Sequence, residues 1–204
     1  MTHAEQIAPN HHAHHPSFAG VSGLVAALSM VLGRQPMARL ALELTAAKAG
    51  ESVVDVGSGP GVAARVAAGR DLRVTGVDPA DVMLRVARTL DLRRRVTWVR
   101  GRAEDVPLPD ASADVVWTLS CIHHVPDVSG ALAEAARVLR PGGRFLAIER
   151  QVVAGATGLG SHGWTPDQAE ALAVIARAAG LTDVVVGTHT LPRGPVLSVL
   201  AHRP

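Results

Sequence analysis

The sequence predicts an α/β domain built on a largely parallel sheet, and three observations carry that prediction. After Gly50, short apolar runs alternate with stretches whose apolar residues recur at helical spacing, a pattern typical of strand and helix in alternation. A glycine-rich turn follows the first of these runs and leads into a helical stretch. The composition, 48% hydrophobic and 19% charged over 204 residues, is that of a globular protein of one domain.

The N-terminal residues 1–20 differ from the rest of the chain. They hold few large apolar groups, so ordering them buries little surface to offset the lost entropy. They hold five histidines, namely His3, His11, His12, His14 and His15. We expect residues 1–20 to be a flexible segment, or a lid that closes over a bound ligand, and residues 21–204 to form a single domain. These histidines can chelate a divalent transition metal, but a solvated tail is the favoured interpretation, and no residue is assigned to a metal site.

The predicted elements follow in chain order. Two helices come first, near 21–32 and 37–44. Strands are then expected near 51–56, 73–78, 95–100, 113–120, 143–149, 182–190 and 195–202. Between them, helices are expected near 60–69, 80–91, 128–140 and 166–179.

Local residues set several of these limits. Pro36 opens the second helix, where its missing N–H is tolerated, and Gly50 closes it. Pro141 is expected to stop the helix near 128–140. Thr165, with Gln168 three residues later, predicts a capping box at the start of the last helix.

Charge and apolar length exclude several classes of protein. Twenty Lys+Arg against eighteen Asp+Glu leave a net charge of +2, which is no nucleic-acid footprint. The longest apolar run, 21–32, has 12 residues, whereas a helix that crosses a bilayer needs about 20, so no membrane partner is expected. No signal peptide is expected, and the lone Cys121 fits a cytoplasmic location because it can form no intrachain disulfide.

The most informative stretch is the glycine-rich turn from Asp55 to Gly61. Glycines there allow a sharp turn and the close approach of a ligand. A dinucleotide is disfavoured because the third glycine of its fingerprint would fall at Val62, and because Pro60 removes a backbone donor. Asp55 suits a cation, and Asp78 at the end of the second strand can accept hydrogen bonds from two ribose hydroxyls. Together these residues indicate a nucleoside that carries positive charge.

With these residues the chain resembles a class I S-adenosylmethionine-dependent methyltransferase. It is most similar to the group that includes the ubiquinone and menaquinone biosynthesis methyltransferases. The resemblance covers about residues 36–150 and includes Val138–Arg144, the helix end before the fifth strand. It implies a Rossmann-like seven-stranded sheet, mostly parallel with an antiparallel last strand and helices on both faces, and S-adenosyl-L-methionine as cofactor. A looser resemblance, from the His-rich start and the excess of Arg over Lys, is to actinobacterial sugar O-methyltransferases.

The resemblance also implies which residues hold the cofactor. They are Asp55, Gly57, Ser58, Gly59 and Gly61 around the methionine part, Asp78 at the ribose, Pro79, Met83, Ala103 and Glu104 at the adenine, and Ser120 after the fourth strand. Arg102 stands where relatives often carry Asp, which leaves the contact to the adenine amino group open.

The chemistry is expected in the segment 120–127, after the fourth strand, because ligands lie outside the carboxyl ends of parallel strands. Methyl transfer is an in-line displacement, and a hydroxyl acceptor must also lose its proton. His123 or His124 is predicted to take that proton, since a substantial fraction of free imidazole is neutral near neutral pH. In the alternative, one imidazole packs under the loop and only the other meets the substrate.

Other residues are expected on the same face. Glu149 ends the fifth strand and is a second candidate base or a ligand for sugar hydroxyls, with a surface salt bridge as the alternative. His162 and Trp164 are assigned to the substrate, with Trp164 stacking on its ring or else covering the last helix. His15 is assigned to the substrate from the lid segment.

These assignments predict O-methylation of a small-molecule hydroxyl. The polar residues favour a sugar, because a quinone or phenol would prefer aromatic walls and the chain has no Tyr, two Phe and three Trp. The alternatives are methylation of a quinone or phenol, methylation of a nucleic acid, and a cofactor-binding regulator without activity. A nucleic acid is not expected, since 120–123 does not match the motif that stacks a flipped base. A need for Mg²⁺ and a homodimeric assembly are left open.

Overall fold

The computed structural model describes Pro9 and residues 35–204, except the side chain of Leu159. The helices are α1 (Gln35–Thr45), α2 (Val62–Ala68), α3 (Asp81–Leu90), α4 (Val128–Val138) and α5 (Pro166–Ala178), with short 3₁₀ turns over Ile122–His124 and Gly158–Ser161. The strands are β1 (Ser52–Val56), β2 (Arg73–Asp78), β3 (Val96–Arg100), β4 (Ala113–Leu119), β5 (Leu139–Arg150), β6 (Thr182–Leu191) and β7 (Gly194–His202).

The seven strands form one sheet in the order β3-β2-β1-β4-β5-β7-β6. The pairs among β1 to β5 are parallel, and β7 runs antiparallel to both β5 and β6. The predicted α/β fold, a mostly parallel seven-stranded sheet with an antiparallel last strand, is confirmed. The chain crosses from the β3 edge back to the middle of the sheet, so β1 and β4 meet at a topological switch point, where open α/β sheets bind ligands.

The sheet is buried on both faces because its strands are apolar on both sides. Val54 of β1 belongs to a core cluster with residues of α4 and α5. Its neighbour Val53 belongs to a second cluster with residues of α1 and α2, as expected when successive side chains point to opposite faces. Leu146 in the centre is fully buried, which contributes about 1.5–3 kcal/mol relative to an exposed side chain.

The largest difference from the predicted boundaries lies between α4 and β5. The helix expected near 128–140 ends at Val138, and β5 begins at Leu139 rather than near 143. Pro141 cannot continue a helix, and Leu139 pairs with Ala113 of β4 before the register shifts. The strand therefore starts before the proline that was expected to end the helix.

The capping box predicted for the last helix is present. Thr165 Oγ1 accepts a hydrogen bond from the backbone N–H of Gln168 at 3.4 Å, and Gln168 Oε1 accepts one from the N–H of Thr165 at 2.9 Å. The second predicted helix is also present as α1. The first predicted helix and the segment 1–20, His15 included, lie outside the described residues apart from Pro9. Within Pro9 and 35–204, no helix is both long enough and apolar enough to cross a bilayer.

Candidate functional site

The glycine turn after β1 is shaped by two close contacts. A Cβ at Gly57 would overlap the Cys121 sulfur, and a Cβ at Gly61 would overlap the Trp98 ring. Both glycines have φ near +70°, which side chains disfavour. Gly59 differs, because a Cβ there would meet no atom of the described chain within 4 Å. The turn is therefore packed from below and open at Gly59, where a ligand can approach the backbone.

Asp78 closes the turn from the end of β2. It is 7% exposed, and its two carboxylate oxygens accept hydrogen bonds from the N–H groups of Gly59 at 2.8 Å and Ala80 at 2.9 Å. Burial raises the pKa of Asp78 in spite of these two bonds. Each oxygen keeps a second lone pair, so the carboxylate can still accept hydrogen bonds from two hydroxyls.

An open cleft lies beside the turn. Its walls are Met37, Asp55, Gly57, Ser58, Pro60, Val62, Ala63 and Leu119. Asp55 is 2% exposed at the end of β1, so it offers an acidic wall to a cationic group. The Ser58 hydroxyl is buried and has no hydrogen-bond partner among the described residues, which costs about 1–3 kcal/mol unless a ligand supplies one. The Asp55 carboxylate, the unpartnered Ser58 hydroxyl and the accessible backbone at Gly59 suit the amino-acid part of S-adenosylmethionine.

The residues assigned to the adenine differ in exposure. Pro79 is exposed, Met83 is buried, and Ala103 and Glu104 are half-buried. Glu104 accepts a hydrogen bond from the Asp127 N–H at 3.4 Å, and its other oxygen lies 3.6 Å from Arg102 Nε.

Ser120 and Cys121 connect β4 to the acceptor side. Ser120 has φ +57°, and its hydroxyl donates to Met37 Sδ at 3.5 Å, so it stands at the edge of the cleft. Cys121 packs on Gly57, and burial raises the pKa of its thiol to about 12. The thiol therefore stays protonated near neutral pH and is a packing group.

Three imidazoles lie close together after the ends of β4 and β5. We call His123, His124 and His162 the histidine cluster. The ring centroid of His123 lies 4.1 Å from that of His124 and 5.5 Å from that of His162, and the last two rings are 5.3 Å apart. His123 is 3% exposed, and its Nδ1 lies 2.9 Å from a carboxylate oxygen of Glu149, which is 1% exposed. His124 and His162 are half-buried.

Arg150 and Gly163 bring His162 to the cluster. The Arg150 guanidinium donates to the carbonyls of His162 at 3.1 Å and Gly160 at 3.2 Å. The backbone N–H of Trp164 donates to the backbone carbonyl of Arg150 at 2.8 Å. Gly163 has φ +147°, and a Cβ there would overlap that carbonyl, so only glycine lets the loop lie this close to the end of β5.

Trp164 lies in the core. It is fully buried in the cluster that contains residues of α5, and its indole N–H donates to the Pro9 carbonyl at 2.9 Å. This packing matches the alternative role, covering the last helix, and leaves no face of the ring open to an acceptor. Stacking on a substrate stays a prediction that needs this packing to open.

Sequence reasoning assigned His123, His124, Glu149 and His162 separately and missed how they combine. It did not predict the buried Glu149–His123 pair, the single cluster of three rings, or the part that Arg150 plays. One signal was available: the segments after the fourth and fifth strands were expected on the same face, outside the carboxyl ends of the parallel strands.

Residues 54–147 match the family described as a methyltransferase domain. This match and the strand order confirm the resemblance to the class I S-adenosylmethionine-dependent methyltransferases, and the matched residues are less than half of the chain.

Curated relatives match only part of this chain. The demethylmenaquinone methyltransferase of Tropheryma whipplei (strain Twist) is 40% identical over 112 residues, which cover 54% of this chain and 46% of that protein. The 27-O-demethylrifamycin SV methyltransferase of Amycolatopsis mediterranei is 41% identical over 103 residues, which cover 48% of this chain and 38% of that protein. The match thus spans less than half the length of either relative.

A solved structure supports the fold over nearly the whole chain. Phosphoethanolamine N-methyltransferase 2 of Haemonchus contortus, in complex with S-adenosyl-L-methionine, superposes with a TM-score of 0.75. It is 21% identical, and the match covers 97% of this chain and 60% of that one. At this identity the likeness concerns the fold alone.

Proposed function

We propose that the protein transfers a methyl group from S-adenosylmethionine to a hydroxyl of a small, polar acceptor such as a sugar. The observation that carries this proposal is the position of the histidine cluster. Cys121 packs on Gly57, so the segment that bears His123 and His124 begins in contact with the glycine turn. An imidazole that follows this contact can take the proton that an acceptor hydroxyl must lose.

The chain's own residues have two tasks in this reaction. The cofactor supplies an electrophilic methyl group on a sulfonium sulfur. Asp78 and Ser58 bind its polar parts, and the half-buried His124 takes the hydroxyl proton as the acceptor oxygen forms its bond to the methyl carbon and the sulfur–carbon bond breaks. The proton then passes to solvent. A positioned base of this kind typically contributes about 10²- to 10⁴-fold.

Glu149 and His123 act behind His124. Both are almost completely buried, so neither presents a face to a bulky acceptor. A Glu149 carboxylate oxygen lies 2.9 Å from His123 Nδ1, and the His123 ring packs against the His124 ring at 4.1 Å between centroids. The pair therefore orients the base, and Glu149 is a positioning residue in this proposal.

A quinone or phenol is the second candidate acceptor. It is favoured by the name of the demethylmenaquinone relative, which is 40% identical. Glu149 and His162, however, lie beyond the residues 54–147 that match the family. The acceptor side therefore depends on residues outside the matched region.

The open question of Mg²⁺ gains no support from the described part of the chain. The candidate metal group found there consists of imidazoles, whereas Mg²⁺ prefers oxygen ligands.

Labelled methyl transfer tests the proposal. The protein is incubated with S-adenosylmethionine carrying a ¹³C-methyl group and with sugars, phenols, quinols and RNA in separate reactions, and the products are analysed by NMR. An O-methyl product from a polar alcohol, lost in His124→Gln but not in the control His189→Gln, is the expected result. A C-methyl product or labelled RNA would replace the proposed acceptor, and cofactor binding without any product would indicate a regulator.

A further inference from the structure

The histidine cluster has the donor set of a transition-metal site. Each of its three residues offers one ring nitrogen, and these nitrogens lie within 4.8 Å of one another. Three nitrogens bound to one tetrahedral metal at about 2.0–2.1 Å lie roughly 3.3 Å apart. Side-chain rotations that move each nitrogen by about an ångström would bring the three to that spacing. A structural site would use a fourth protein ligand, whereas three ligands leave a coordination position for a water or a substrate oxygen.

A buried carboxylate lies against one of the three rings, and an exposed guanidinium holds the backbone of another. Glu149 lies 2.9 Å from His123 Nδ1, which leaves Nε2 as the coordinating nitrogen of that ring. A carboxylate behind a ligating histidine sets its tautomer and raises its basicity, and such an outer partner typically contributes about 10- to 100-fold in metal affinity. Arg150 holds the backbone of His162 from the next position on β5.

The charge of the surroundings is compatible with a cation. Glu149 is a carboxylate that is 1% exposed, and desolvating it alone is unfavourable. A divalent ion bound to the adjacent imidazole would offset that charge at short range. The exposed guanidinium of Arg150 is directed to carbonyls of the loop, with distances of 3.1 and 3.2 Å to the oxygens that accept from it.

We propose that His123, His124 and His162, supported by Glu149, bind one divalent transition-metal ion of the Zn²⁺, Co²⁺ or Ni²⁺ type. Imidazole suits these ions, and the absence of a carboxylate ligand from the group disfavours Mg²⁺ and Ca²⁺. The open position would bind an oxygen of the acceptor, such as one of two neighbouring hydroxyls.

This inference deepens the proposed function but concerns binding, so it has its own readout. A nitrogen that coordinates the metal cannot also take a proton, so His124 would be the base only in the metal-free protein. In the metal-bound protein the acceptor hydroxyl would be acidified by coordination and would lose its proton to solvent, and the histidines would act as ligands.

Cobalt titration tests the site directly. The N-terminal histidines would mask it, so the background variant is the full chain, free of any tag, with His3, His11, His12, His14 and His15 all replaced by Asn. Co²⁺ is titrated into chelator-treated protein and followed by visible absorption and calorimetry. We expect one Co²⁺ per chain, with the absorption of a nitrogen-ligated ion, displaced by Zn²⁺.

Matched variants in this background separate ligands from bystanders. Glu149→Gln should weaken Co²⁺ binding by about 10- to 100-fold, and His162→Gln should weaken it by more than that. The control His189→Gln changes a half-buried histidine on β6, away from the cluster, and should leave binding unchanged. Calorimetry with S-adenosylhomocysteine shows that each variant is folded.

Two results would overturn the inference: no Co²⁺ binding in the background variant, or binding that His162→Gln leaves intact. Different results would refute the proposed methyl transfer. Co²⁺ binding without methyl transfer to any acceptor would refute the activity and leave the metal site standing. Methyl transfer by a folded protein that binds no Co²⁺ would refute the metal site alone.

Discussion

At the scale of single residues, Asp78 shows how burial and function oppose each other. Its carboxylate is 7% exposed, and burial raises its pKa, so the folded chain disfavours the charged form that a nucleoside would use. A ligand that donates two hydroxyl hydrogen bonds stabilises that form. Cofactor binding should therefore depend on this carboxylate more than folding does.

The variant Asp78→Asn tests this dependence. Loss of hydrogen bonds to a charged acceptor, worth about 1.5–3 kcal/mol, should weaken S-adenosylhomocysteine binding by roughly 10- to 100-fold in calorimetry. The matched control Asp81→Asn lies on the exposed first turn of α3 and should bind as the parent does. Because the pKa of Asp78 is raised, its carboxylate takes up a proton at a higher pH than an ordinary carboxyl does. As the pH falls, binding should therefore begin to weaken at a correspondingly higher pH. Unchanged affinity in Asp78→Asn would contradict the ribose assignment.

Gly163 is the second residue on which the site depends. Gly163→Ala combines a disfavoured φ with overlap of the Arg150 carbonyl, so it should destabilise the protein by more than about 1–3 kcal/mol in urea unfolding. Gly155→Ala is the control, because Gly155 also has positive φ but a Cβ there meets no described atom within 4 Å. If the two variants lost equal stability, the close approach of the loop to β5 would not be the cause.

At the scale of elements, the last helix illustrates a local signal that survives in the fold. The capping box at Thr165 satisfies N–H groups that would otherwise lack partners at the helix start. Thr165→Ala should lower the free energy of unfolding by about 0.5–2 kcal/mol, measured in urea. Cofactor affinity should not change, since α5 lies away from the glycine turn. Thr182→Ala on the exposed start of β6 is the control and should have a smaller effect.

The junction of α4 and β5 shows where local signals fail. Pro141 correctly predicts that the helix cannot pass it, but the helix ends earlier, at Val138. Leu139 favours a helix by its own preference. Its pairing with Ala113 of β4 decides for the strand, and that partner is distant in sequence.

At the scale of the whole molecule, ion pairs tie the amino ends of the central strands together. The hydrogen bond from Arg144 on β5 lowers the pKa of Glu51 next to β1. Burial opposes a similar change at Asp114 of β4, but the hydrogen bonds from the Ser52 N–H and from Arg140 outweigh it and lower its pKa. These pairs link β1, β4 and β5 from the end opposite to the ligand site.

The sign of their pH dependence follows from the lowered pKa values. The two carboxylates stabilise the fold above their unfolded-state values, 4.5 for Glu51 and 3.8 for Asp114, and that stability is lost as the pH falls through the lower folded values. The double variant Glu51→Gln, Asp114→Asn should therefore be less stable at pH 7 and lose less stability on acidification, as measured by urea unfolding at a series of pH values. Parallel pH curves for parent and variant would contradict this.

The sequence by itself determined the alternation of strands and helices and the fold class, because each depends on neighbours within strand–turn–helix units. Asp55, the glycine turn and Asp78 are predicted as cofactor residues from the same local pattern and from the family resemblance. Only the tertiary structure decided that Glu149 supports His123 and that His162 completes the cluster. The parallel register pairs Leu119 with Ile148, so the carboxyl ends of β4 and β5 lie side by side. Gly163 allows the loop after β5 to lie against the Arg150 carbonyl at that end. Strand order and register arise from packing between distant segments, which local preference does not encode.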